Sequence, residues 1–134
     1  MSMFQWQANY SVGHMVIDAQ HQRLFQLADE LFNAMTAGKG NAALSSVLAS
    51  LVSYTKLHFA AEERLMQECK YPEYIQHKKE HDLLTAKVAA FQKDFDGHRV
   101  AMTIQLMQFL KDWLTHHIQE SDKKIGSYLQ ESAA

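Results

Sequence analysis

The chain contains little that would staple, break or bend it. Among 134 residues there is one cysteine, one proline and five glycines. A lone Cys69 excludes an intramolecular disulfide, and with it the small disulfide-framed folds. It also excludes a thiolate-built zinc or iron–sulfur site. The one proline, Pro72, leaves long stretches free for uninterrupted helix. Period-two alternation of β-branched residues is missing, so no strands are expected. The least polar stretch, Ala42 to Val52, is too short for a bilayer and includes Ser45, Ser46 and Ser50, so no membrane span is expected. No basic run stands out, and 13 Lys and Arg against 15 Asp and Glu leave a net charge of -2; nothing resembles a nucleic-acid surface. The start, Met-Ser-Met-Phe-Gln-Trp-Gln, lacks the basic and apolar regions of a secretory signal, and a cytoplasmic location is the expectation.

What the chain does have is helical periodicity. Residues 1 to about 16 show no sustained period and are predicted to form an arm in which Phe4, Trp6, Tyr10 and Val12 lie over the rest, with Gly13 as a turn. A first helix is predicted from about Asp18 to Thr36, ended by Gly38-Lys39-Gly40. Asn41 reads as the N-cap of a second, reaching about Glu68. A third covers about Glu73 to Phe95, and a fourth about Arg99 to Glu120, with a short helical tail to Leu129. Four amphipathic helices with short connections predict an all-α, antiparallel up-down-up-down bundle in one domain, 1–134. It divides into an arm (about 1–16), a bundle (about 17–120) and a C-terminal tail (about 121–134).

The compositional outlier is histidine, with eight. Five of them, His21, His58, His77, His81 and His117, fall on the inward apolar stripes of the four helices. A single inward imidazole is ordinarily a core residue bonded to a carbonyl. Five in one core, without a binding partner, would be badly destabilising. Glu62 sharpens the point: it follows His58 by four residues, as His81 follows His77, and its carboxylate is placed inward with no inward lysine or arginine to meet it. The last helix offers two pairs. His116 with Glu120 has the regular four-residue step; His117 with Asp122 spans five residues, about 140° round an α-helix. His117 continues the stripe of Leu110, Trp113 and Leu114, and a break or bulge near Ser121 would bring Asp122 round. Five imidazoles and two carboxylates are too many for one ion and suit two, from among iron, manganese, zinc and cobalt.

The order of these residues, His21, His58-x-x-x-Glu62, His77-x-x-x-His81 and His117-x-x-x-x-Asp122, resembles the hemerythrin family, in particular its single-domain bacterial members. The likeness runs from about Trp6 to Leu129 and includes Gly13-His14-Met15-Val16-Ile17-Asp18-Ala19-Gln20-His21 and Trp113-Leu114-Thr115-His116-His117-Ile118. The family pattern selects His117 with Asp122 over the alternative pair. The resemblance implies two non-haem iron ions, one on His77, His81 and His117 and the other on His21 and His58. Glu62, Asp122 and an oxo or hydroxo group would bridge them, and dioxygen would bind at the two-histidine iron. Leu24, Phe59, Met66, Trp113 and Leu114 flank these residues on their stripes and are the candidates for an apolar dioxygen pocket.

The expectation that follows is a reversible dioxygen carrier or store rather than an enzyme, with dioxygen as ligand and an oxygen-accepting protein partner left open. The alternatives are a di-iron oxidase or peroxidase, and an oxygen- or redox-sensing module acting through a partner. No inward acid, base or substrate-binding polar residue is evident beyond the seven, which speaks against the enzyme.

Overall fold

A computed structural model describes residues 3–133. Five α-helices follow one another: α1 (Met15–Thr36), α2 (Asn41–Glu68), α3 (Tyr74–Asp96), α4 (Ile104–His116) and α5 (Lys123–Ala133). A π-helical turn, His117–Asp122, joins α4 to α5, so the last two form one long rod with a wide turn in its middle. The architecture is the expected antiparallel four-helix bundle, with no strand among the described residues. Its main core takes in Leu24, Leu31, Leu48 and Phe95 of the predicted stripes, joined by Met107 of α4 and Ile118 of the π turn, each at most 1% exposed.

Local chemistry sets the helix ends, and it moves three of the expected boundaries. α1 starts earlier than Asp18, because His14 Nδ1 accepts the Ile17 N–H at 3.2 Å and so caps the helix. Gly40, not Asn41, is the residue before α2; Asn41 is its first helical residue, and its amide lies 3.3 Å from His98 Nδ1. α4 begins at Ile104 rather than near Arg99, since Thr103 Oγ1 takes the Leu106 N–H at 3.2 Å. The tail is also longer than expected, helical to Ala133.

The arm lies against α1, tied by backbone groups to its carboxylates. Asp29 Oδ1 accepts from the N–H groups of Met3 and Phe4 at 3.1 and 3.2 Å, and Asp18 Oδ1 from that of Val12 at 2.8 Å. Trp6 and Tyr10 set their rings against each other and against Phe25 of α1, with centroids 5.2–5.6 Å apart. Gly13 turns the chain at φ +80, a conformation that suits glycine. On α5, Gly126 meets the arm so closely that a Cβ there would stand 1.8 Å from the Val12 carbonyl oxygen. Arm and last helix thus close over the bundle that carries the histidines.

Candidate metal centre

All four helices of the bundle send side chains to one buried point. α1 contributes His21, α2 His58 and Glu62, and α3 His77 and His81; the π turn contributes His117 and Asp122. Each of the seven is at most 3% exposed, and they are the only buried polar or charged residues, tyrosines apart, among those described. The four-residue steps in α2 and α3 need nothing beyond the helical period. The five-residue step needs the π turn. Hydrogen bonds from residue i+5 to residue i widen the turn by one residue, which sets Asp122 beneath His117. Asp122 Oδ1 is accordingly 3.1 Å from His117 Nε2. His116 and Glu120, the regular-spaced alternative, are both exposed.

The carboxylates divide the site in two. Glu62 Oε1 lies 2.7 Å from His77 Nε2 and 3.0 Å from His81 Nε2, while its other oxygen lies 3.1 Å from His58 Nε2 and 3.6 Å from His21 Nε2. Asp122 does the same: Oδ1 is 2.9 Å from His77 Nε2, and Oδ2 is 2.9 Å from His21 Nε2. Two ligand groups result, Glu62, His77, His81, His117, Asp122 and His21, His58, Glu62, Asp122, sharing both carboxylates. Two metal ions bridged by two carboxylates call for this arrangement.

The chemistry of the donor set fits metal better than protons. Neither carboxylate is paired with a lysine or arginine among the described residues; every partner is a histidine. Both nitrogens of His21, Glu62 Oε2 and both Asp122 oxygens are buried without a hydrogen bond, although several stand within 3.1 Å of a donor or acceptor. These atoms crowd together at short distance without satisfying one another. Burial alone would push the imidazoles toward the neutral form. The adjoining Asp122 and Glu62 carboxylates outweigh it and hold His21 and His77 up at about 9 and His117 at about 11. Despite their own burial, Glu62 and Asp122 are held well below the usual carboxylate range by the surrounding imidazoles. Positive charge is thus what this core demands, and the cluster is one that could take it from a metal ion in place of protons.

Rings cover the site. Phe59 stacks flat on His81, centroids 3.8 Å apart at 4°, and Trp113 stacks on His117 at 4.4 Å and 14°. Phe59 is buried and Trp113 partly so. Leu24 and Leu114 lie in the main core, whereas Met66 belongs to a second cluster with Tyr71 and Ile125. Sequence reasoning missed the residues behind the imidazoles. Gln20 Oε1 lies 2.7 Å from His58 Nδ1, Glu63 Oε2 2.9 Å from His81 Nδ1, and Glu80 Oε1 3.1 Å from His117 Nδ1. Ser121 Oγ donates to the same Glu80 oxygen at 2.7 Å, and Glu80 is drawn down to about 2, chiefly by its bond to His117. Glu63 and Glu80 each sit one position from an inward ligand; that adjacency was the available signal.

Comparison with known proteins agrees with this geometry. The family described as Hemerythrin HHE cation binding domain matches residues 13–129. A bacteriohemerythrin of Pseudomonas aeruginosa (strain UCBPP-PA14) is 37% identical over 91% of this chain and 78% of its own. One from Methylococcus capsulatus is 32% identical over 96% and 98%. The crystal structure of a wild-type hemerythrin superposes with a TM-score of 0.88 at 31% identity, covering 96% of this chain and 98% of that one. A match of this length, on a bundle whose core is a histidine and carboxylate cluster able to bind metal, leaves one assignment: the chain belongs to the hemerythrin family.

Proposed function

We propose that the chain binds dioxygen reversibly at a carboxylate-bridged pair of non-haem irons, for storage, transport or delivery. His77, His81 and His117 would hold one iron and His21 and His58 the other, with Glu62 and Asp122 shared between them and an oxo or hydroxo group completing the pair. The single observation that carries this reading is the division of both carboxylates' oxygens between two histidine groups. A ferrous pair bound there would supply the two electrons that hold dioxygen and recover them on release. The two-histidine half has one protein ligand fewer and therefore keeps a position for dioxygen.

The protein's part is to keep that exchange dry. Phe59 and Trp113 cover the imidazole faces, and Leu24 and Leu114 fill the core around them. Beyond the seven, no polar residue other than tyrosine is buried among those described, so the interior offers almost no spare proton donor to drive dioxygen on to peroxide. This favours a carrier over an oxidase or peroxidase. The test is iron content of about two per chain, with a spectrum that changes in air and reverts under argon over repeated cycles. Steady dioxygen consumption with a reductant and no reversion would favour the enzyme; one iron, or zinc in its place, would sink the di-iron reading.

A further inference from the structure

The outward nitrogens of His21, His58, His81 and His117 are not treated alike. In the three-histidine half, His81 Nδ1 meets the Glu63 carboxylate at 2.9 Å and His117 Nδ1 meets the Glu80 carboxylate at 3.1 Å. Glu80 is itself fixed by the Ser121 hydroxyl at 2.7 Å. In the two-histidine half, His58 Nδ1 meets only a neutral amide oxygen, that of Gln20, at 2.7 Å, and His21 Nδ1 is buried with no partner. Two full negative charges therefore stand behind one half of the centre and none behind the other.

An imidazole that donates its outer N–H to a carboxylate is held in the tautomer a metal needs and is a stronger base at its inner nitrogen. An amide oxygen fixes the tautomer but adds no charge. The carboxylates are only partly exposed, Glu63 at 19% and Glu80 at 42%, so water screens them incompletely.

We propose that Glu63 and Glu80 make the three-histidine half the tighter metal site, so that the two ions load in order and the half built on His21 and His58 fills second and empties first. Glu63 and Glu80 are positioning residues that act through His81 and His117, and the inference rests on the metal-pair reading above. The lack of charge behind His58 and His21 leaves the ion at the open position the more weakly held of the two.

The experiment is an air-free titration of the full metal-free chain with cobalt(II), followed by the visible absorption of the bound ion and by calorimetry. Wild type takes up two ions in two resolved steps. Glu63→Gln and Glu80→Gln each weaken the first step by about tenfold and leave the second nearly unchanged. Gln20→Glu strengthens the second step and draws the two together; a gain of this kind cannot come from a damaged fold, and circular dichroism checks the two losses. Glutamine keeps the acceptor and removes the charge. If the glutamine variants load like wild type, and only Glu63→Ala or Glu80→Ala fails, charge is irrelevant and the proposal is overturned. Two ions entering in one step that ignores all three charge changes overturn it as well. A wild type that binds fewer than two ions instead sinks the metal-pair reading beneath it.

Discussion

Removing one residue from the π turn should leave the metal centre standing, while removing one from a regular helix should destroy it. Glu120 is exposed and lies inside His117–Asp122. Its deletion shortens the step from His117 to the present Asp122 from five residues to four, the step that His58 and Glu62 already use in α2. A plain α-helical turn then presents both side chains on one face, and α5 keeps its docking against the arm. Ala60 is also exposed, between His58 and Glu62, but α2 has no extra residue to give up. Its deletion turns one end of α2 by about 100°, moving the Cα atoms of that end about 3.5 Å round a cylinder of 2.3 Å radius. The present separation of His58 Nε2 from Glu62 Oε2 is 3.1 Å, and ligand shells tolerate displacements of roughly 0.5 Å. The assay is metal content after reconstitution, with thermal unfolding alongside. The Glu120 deletion should bind two metal ions per chain and shift Tm by no more than about 4 °C, about 1 kcal/mol. The Ala60 deletion should bind fewer than two. Loss of metal in both, or in neither, would refute the idea that the π turn is what accommodates the fifth residue.

His117→Ala should abolish the paired centre while exposed His116→Ala leaves it intact, judged by metal per chain; the reverse result would return the role to His116 and Glu120. Leu114→Asn, at a core residue 7% exposed, places a polar group in the dry interior, so the oxygenated form should decay several-fold faster in air at unchanged iron content, and equal decay would make Leu114 simple core packing. For the metal-free protein, His21 and His77 are raised from 6.5 to about 9, so their stabilising contribution is complete below pH 6.5 and is lost as pH rises through 9. Glu62 and Asp122, held low, contribute above their ordinary range and lose that contribution as pH falls. The Tm of chelator-treated protein should therefore drop between pH 6.5 and 9, whereas the metal-loaded protein, whose cations do not titrate, should show no such drop; a flat metal-free profile over that range would count against the carboxylate–imidazole pairing.

Much of this is legible in the sequence alone. The 3.6-residue period places Leu24, Leu31, Leu48 and Leu84 on stripes, and His58, Glu62, His77 and His81 on the same stripes, because side chains four apart on a helix share a face whatever surrounds them. Helix ends were less legible. His14 and Thr103 stand at caps because their side chains reach the unpaired N–H groups of Ile17 and Leu106, whereas Gly40 precedes α2 with no side-chain bond, and the helical period alone does not mark which residue does this. Asp122 lay beyond periodicity altogether. The helical wheel prefers His116 with Glu120; the apolar stripe through His117 points the other way, and the family pattern decides between them. The wide turn that brings Asp122 under His117 is a departure from the period on which such reasoning depends. Gln20, Glu63 and Glu80 are ordinary helix-flank residues in the sequence. They stand behind particular imidazoles because α1 is packed on α2, α2 on α3, and α3 on the π turn, at rotations that set one helix's flank against its neighbour's inward face. Residue type and spacing determined which side chains of the regular helices turn inward. Which partner waits behind each of them was decided by the contact between helices, and no single helix encodes that.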